Sequence, residues 1–439
     1  MSAPSLRPAR APETVDLAIV GAGAAGLMAA IAAGRAAQAA GVPLAIAAFD
    51  GAAKLGTKIL VAGGGRCNVT HDVLDPRFYA GSSQRAVAKV LRSFDVPHTI
   101  AFFHALGVPL KREETGKLFP VSDSARTVLD ALLGAARAAG VSLVHPCRVT
   151  AIARDPGEAG HPFTLTTDGG PCRARAVILA TGGRSLPKSG SDGGGYRLAA
   201  ALGHTLTEHI FPALVPLITP AGHFTRALSG VAAEAALSAG EGKARITVRG
   251  AVLCTHFGLS GPAALDISRF LADARRIQPN APLRVNWLPD HSAEQIDRML
   301  QTLGRETVGR WLSRLLPERL ARALLAEADL DPATTGDTLA REKRRVLAGV
   351  LGLCAVPIEG DRGFTYAEVT AGGVPLHEVQ PETMASRITP GLFLCGELCD
   401  VDGRIGGYNF GWAWASGDVA GRAAVRALVG TLAQESSDS

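Results

Sequence analysis

Three glycine-rich blocks hold the residue types best suited to chemistry. In the first, an apolar run at 15–20 leads into Gly21-Ala22-Gly23-Ala24-Ala25-Gly26, an Ala-rich segment follows, and a second apolar run at 44–49 closes in Asp50. Strand, glycine turn, helix, strand and acid in that order suit the adenosine diphosphate half of a dinucleotide. Gly21 suits the tight turn, Gly23 a close approach of backbone to phosphate, and Gly26 close packing of helix on strand. The open N–H groups at Ala24, Ala25 and Gly26, with the helix dipole behind them, can hold the phosphate charges. Asp50 can accept hydrogen bonds from ribose hydroxyls.

The second block is Lys58 followed by Gly63-Gly64-Gly65-Arg66-Cys67-Asn68, and the third runs from Gly396-Glu397 through Asp400, Asp402 and Arg404 to Gly406-Gly407-Tyr408-Asn409. In the third block a strand again ends in a carboxylate and a glycine pair opens a helix, which continues through Ala413, Gly417 and Gly421. A flavin dinucleotide needs two such devices. One holds its pyrophosphate; the other offers a carboxylate to the ribityl hydroxyls and aims a helix N-terminus at the flavin N1–C2=O edge, which turns negative on reduction. An Asp400 or Asp402 pair with Arg404 would be architectural.

These elements need a frame. Residues 1–13 read as a flexible tail, 14–200 and 356–439 as a discontinuous nucleotide-binding domain, and 201–355 as an inserted domain. Strands at 148–153, 163–167 and 174–180 with a turn at 168–170 suit a small β-meander on the nucleotide-binding sheet. A helix capped by Ser122 or Ser124 presents Val128, Leu129, Leu132 and Leu133, and Ser292 with Gln295 forms a capping box in the insert. The uncharged stretch 17–34 is long enough to raise a membrane span or signal peptide. Its glycines, and Glu13 and Asp16 before it, argue against both, so no membrane association is expected.

The chain has 439 residues, 47% hydrophobic and 19% charged, with a net charge of +5, an ordinary globular balance that suits an anionic ligand without requiring nucleic acid. The basic run 341–345 reads as a solvated helix face. Seven cysteines without a CxxC pair point to reduced thiols in a cytoplasmic protein, and no metal-ligand cluster stands out.

These blocks resemble the bacterial FAD-dependent oxidoreductases known as HI0933-like or YhiN-like flavoproteins, a family that includes proteins described as aminoacetone oxidases and bile-acid-pathway flavoproteins. Further matching segments are 119–122, 180–183, 212–217, 255–262 and 369–374. Two departures are His71, where Asn is usual, and Asp192, displaced within the 190–196 loop. The resemblance implies an α/β fold: an FAD/NAD(P)-binding, Rossmann-like domain of the glutathione reductase type with a small β-meander, plus an inserted α+β domain. It implies that Gly21, Gly23, Gly26 and Asp50 hold the ADP half and that Val149 touches the adenine through its backbone. Ala180, Thr181 and Gly182 would pass beside the cofactor. Gly396 and Glu397 would meet the ribityl chain, and Gly406, Gly407, Tyr408 and Asn409 would line the flavin edge. Lys58 and the loop Gly64, Gly65, Arg66, Cys67, Asn68 would follow the isoalloxazine ring, with Arg66 on the pyrophosphate or flavin O2.

For catalysis the candidates are His256 as acid or base, Cys67 as a redox partner, and Tyr408. The implied reaction is hydride transfer between flavin N5 and a small organic substrate, with NAD(P)H as a transient donor because no second complete nucleotide unit is present. The alternatives are an amine-type oxidase using O2 and an RNA-associated flavoprotein. Substrate is expected at the junction of the two domains. No nucleic-acid partner is expected, and the oligomeric state is left open.

Overall fold

The computed structural model describes residues 7–155 and 160–437. The chain forms two compact units, Met1–Phe211 with Val369–Ser439, and Pro212–Glu368. In the first, the apolar runs become a parallel sheet with strand order Ser142–Val144, Ile46–Phe49, Thr14–Val20, Cys172–Leu179, Leu392–Leu394. Strands covered on both faces need unbroken apolar sequence rather than alternation, and Leu17, Ala18, Ile19 and Val20 are all buried. Cys172–Leu179 also pairs antiparallel with Phe163–Thr167, which pairs with Val149–Arg154, forming the meander. This is a Rossmann-type α/β domain.

The helix after the first strand, Ala24–Ala40, packs against the long C-terminal helix Tyr408–Ser437. Small residues make that possible. A Cβ on Gly417 would stand 2.4 Å from the Ala25 carbonyl oxygen, and one on Gly421 would stand 2.3 Å from that of Ala29. Two glycines four apart on one helical face let the backbones meet. The helix Ala125–Ala138 buries Val128, Leu129 and Leu132 and props the 51–65 segment, because Leu129 fills the space over Gly56. Ser124 stands at its N-cap, although the hydroxyl makes no capping bond.

The insert edges expected at 201 and 355 differ from the observed Pro212 and Glu368. The glycine-rich style of the sequence does not track them. Leu202, Leu206 and Ile210 pack into the core of the first unit, whereas Gly360–Asp361 is a strand of the second. The second unit is an antiparallel sheet in the order Cys354–Val356, Leu283–Asn286, Ala232–Ala239, Ile246–Thr255, Gly258–Ser260, Leu217–Ile218, Gly360–Asp361, with helices including Pro262–Ile277, Ala293–Gln301 and Arg341–Gly352. The Ser292–Gln295 capping box is formed in both directions.

Candidate FAD site

The first helix begins with no side-chain cap and no acid in its first turn. Its leading N–H groups have no intrahelical partner, which makes this end an anion site. A Cβ on Gly23 would meet nothing within 4 Å, so the backbone there borders open space. Gly21 and Gly26 are required by close approach: their Cβ atoms would fall 2.5 Å from the Ala180 oxygen and 1.8 Å from the Gly21 oxygen. Asp50 accepts from Ala22 N and Ala52 N, each at 2.8 Å. The carboxylate keeps lone pairs for a hydroxyl. Cys147 N donates to Asp50 O at 2.7 Å, which brings the start of the Val149 strand alongside.

A second cluster joins residues far apart in sequence. Lys58 Nζ lies 2.5 Å from Glu397 Oε2 and donates to Ser185 Oγ at 2.8 Å. Ser185 Oγ donates to Glu397 Oε1 at 2.7 Å, and Thr370 N donates to the same oxygen at 2.9 Å. Gly183 passes directly beside them; a Cβ there would stand 2.5 Å from Thr370 Oγ1. The cluster ties the 58–68 loop to the turn after Leu392–Leu394. The loop itself turns through three left-handed glycines, Gly63, Gly64 and Gly65, with φ of 58°, 68° and 86°.

Four of the expected site residues are buried or have partners within the protein. Arg66, expected on the cofactor, is held by Glu113 at 2.7 Å and Asp123 at 3.6 Å and lies 4.0 Å over the Phe119 ring, so it staples the loop. Cys67 is fully buried, and burial pushes its thiol up to about 12. A thiol held protonated is a poor redox nucleophile. Tyr408, expected in catalysis, is buried among His71, Phe78 and Tyr79 at ring distances of 5.2, 5.9 and 5.5 Å. Asn409 spends its amide on Gly403, accepting from its N at 2.8 Å and donating to its O at 2.9 Å. Arg404 lies over the rings of Phe78 and Tyr408.

Gly406 and Gly407 open the C-terminal helix against the strand Thr70–His71; a Cβ on Gly407 would stand 2.4 Å from the Thr70 carbonyl carbon. His71 is buried, its Nε2 is 3.1 Å from Thr115 O, and burial draws its pKa below the usual imidazole range against the opposing pull of Asp72. Further along the helix, Trp412 Nε1 donates to Gly396 O at 3.0 Å and Ser416 Oγ accepts from Gly396 N at 2.9 Å. The helix thereby fixes the turn that carries Glu397.

Among the buried polar atoms of this unit without a hydrogen-bond partner are Asn68 Oδ1, Thr181 Oγ1 and Ser191 Oγ. Buried polar atoms are nearly always paired, so these three can take a partner from a ligand. Gly195 passes Thr181 Oγ1 and Gly182 passes Ser191 Oγ, at Cβ distances of 1.8 and 2.8 Å. The open helix end, the Asp50 carboxylate and these orphans fit a dinucleotide flavin.

The first unit thus brings the 21–26 turn, Asp50, Thr181 and Glu397 to the ends of neighbouring strands of one sheet, with Lys58 joined to Glu397 from the helix Thr57–Val61. His256 belongs to the second unit, where it is exposed at the hairpin between Ile246–Thr255 and Gly258–Ser260. Sequence reasoning missed Ser185, Ser191 and the clamp by Trp412 and Ser416. Ser191 lay in a quoted block; Ser185 carried no signal.

Residues 15–423 match the HI0933-like protein Rossmann domain. The chain belongs to the HI0933-like family. It is 35% identical to the 3-dehydro-bile acid delta(4,6)-reductase of Clostridium scindens over 93% of this chain and 98% of that protein. It is 32% identical to the ribosomal RNA dihydrouridine synthase of Escherichia coli, over 92% and 96% respectively. Among solved structures, a quinol-fumarate reductase shares the fold at a TM-score of 0.50 and 17% identity, covering 95% of this chain and 72% of that one. The protein is an FAD-dependent oxidoreductase. Among the described residues no helix is long and apolar enough to cross a membrane.

Proposed function

We propose that this protein reduces a carbon–carbon double bond conjugated to a carbonyl in a small organic substrate, with NAD(P)H visiting as electron donor. The observation that carries the reading is a chemistry shared by two relatives' names. A delta(4,6)-reductase acting on a 3-dehydro bile acid saturates alkenes beside a ketone. A dihydrouridine synthase saturates the ring alkene of uracil, also conjugated to a carbonyl.

Bound FAD supplies hydride transfer at its N5. The chain's own residues then have defined tasks. Ala24, Ala25 and Gly26 hold the pyrophosphate through backbone N–H groups, and Asp50 holds the ribose. Glu397, braced by Lys58, Ser185 and Thr370, offers its carboxylate to the ribityl hydroxyls. Thr181 and Ser191 supply hydroxyls to the cofactor where the protein gives them none. The N-terminus of Tyr408–Ser437 stabilises negative charge on the reduced ring system.

RNA as the substrate is the second reading, favoured by the Escherichia coli relative. Its expected mark is a free basic face at 341–345. There Lys343 is paired with Asp329 and Arg344 with Asp297, which leaves less charge for phosphates. The seven cysteines are free and six are buried, in keeping with a cytoplasmic setting.

The test is anaerobic. NADPH or NADH should bleach the yellow protein, and a conjugated enone should restore the colour with formation of the saturated ketone. Bleaching by amines instead, with peroxide release in air, would replace the proposal with an oxidase. Turnover only on ribosomal RNA would install the second reading.

A further inference from the structure

The second unit contains an arginine held in a way the reading above does not use. Arg362 follows the edge strand Gly360–Asp361, and its backbone N donates to Pro216 O at 3.1 Å. Its guanidinium lies 3.5 Å from the centroid of the Tyr366 ring and 4.5 Å from that of Phe257. The 363–367 turn brings Tyr366 back over it, with Tyr366 N and Ala367 N both donating to Gly363 O at 3.1 Å. The neighbouring carboxylate, Asp361, accepts from Gly363 N at 2.7 Å. Among the described residues Arg362 has no carboxylate partner.

A guanidinium with rings against it loses little conformational freedom on binding, and its N–H groups lie in its own plane, at the edge. That edge is the part that grips a carboxylate or phosphate in two parallel hydrogen bonds. Tyr366 is 49% exposed, Arg362 and Phe257 are half-buried, and His256 is exposed with its ring 5.0 Å from Phe257. A cation fixed by stacking, accessible and lacking an acid is a receptor for an anion rather than a structural ion pair.

We propose that Arg362, clamped by Phe257 and Tyr366, is an oxyanion-recognition site of the second unit that takes a carboxylate or phosphate. The site stands on its own geometry, independently of the reductase reading. A carboxylate on an apolar ring system and a phosphate on a nucleotide present the same paired oxygens. Tyr366 adds a ring face for a planar neighbour.

Calorimetric titration of the purified flavin-loaded protein tests this without turnover. The probes are cholate and uridine 5′-monophosphate, each set against its uncharged counterpart, cholate methyl ester or uridine. The expected result is that at least one anion binds and that Arg362→Gln weakens it about 10- to 100-fold, as loss of a bidentate charged contact does. Arg362→Lys should weaken it less, and the uncharged probes should not distinguish the variants. Dependence on Arg362 for cholate alone assigns the site to carboxylates, and for the nucleotide alone to phosphates. Equal binding by wild type and both variants, or no binding of either anion, overturns the proposal. Should Arg362→Gln unfold, Arg362→Lys against wild type decides it by the same criterion. Enone reduction that fails while Arg362-dependent binding persists would remove the reductase reading and leave the site.

Discussion

The Lys58–Glu397 pair offers a sharp test because it fastens two distant segments and sits under the proposed ribityl contact. Their side chains are 29% and 17% exposed, so the pair is neither dry nor fully screened. Lys58→Met leaves the Glu397 carboxylate with two neutral donors, Ser185 Oγ and Thr370 N. A hydrogen bond to a charged group contributes about 1.5–3 kcal/mol, and truncating one side of a buried pair costs about 3–5 kcal/mol. Partial exposure brings the expectation down to about 1.5–2.5 kcal/mol. Glu397→Gln should cost a similar amount. A double-mutant cycle of the two in urea unfolding, on protein stripped of flavin, should give a coupling of about 1–2 kcal/mol. Gel filtration of loaded protein should show that Glu397→Ala loses flavin more readily than Cys67→Ala. Additive single effects, with coupling below about 0.5 kcal/mol, together with equal flavin retention by the two alanine variants, would refute the reasoning.

Other expectations follow from the same geometry. Gly26→Ala places a methyl 1.8 Å from the Gly21 oxygen, so it should abolish flavin uptake and lower the thermal midpoint, whereas a methyl at Gly23 meets no protein atom and should act through the phosphate alone. Cys67, buried with its thiol pushed up to about 12, should resist iodoacetamide in the native protein, and Cys67→Ala should keep flavin reduction; rapid native labelling of Cys67 would contradict this. Glu378 is buried, which pushes its pKa up, yet hydrogen bonds from Thr205 and His204 outweigh burial and hold it below the usual range. A carboxylate with a depressed folded pKa stabilises the fold above its unfolded pKa and loses that contribution as pH falls through the folded value. Glu378→Gln should therefore lower the thermal midpoint at pH 7, and the difference from wild type should shrink below about pH 4; a difference that widens on acidification would reverse the assignment.

The nucleotide turn was legible in the sequence because its glycines are dictated by close backbone contacts that recur with the strand–turn–helix order. Gly26 is needed where the chain meets itself at Gly21, whereas Gly21 is needed where the turn meets Ala180 on a neighbouring strand end, and the alternation of apolar runs with glycine turns fixes the parallel sheet. The meander was legible for the same reason: Phe163–Thr167 and its turn form a local hairpin. Side-chain roles were less readable. Arg66 and Tyr408 each sit in a block that reads as cofactor contact, yet Glu113 and Phe78 meet them through tertiary packing, while Asn409 pairs locally with Gly403. Ser185 meets Glu397 across 212 positions, a pairing no spacing rule reveals. The insert edges escaped for a related reason, since Leu206 and Ile210 follow a change in composition but still pack into the first core.

The central claim is that the 21–26 turn with Asp50 and the cluster around Glu397 close on a single FAD. An anaerobic visible spectrum of the purified, folded protein after incubation with FAD and desalting tests it most directly. The account predicts a yellow protein with bound flavin near one per chain that bleaches on reduction; a colourless protein that takes up no flavin would contradict it.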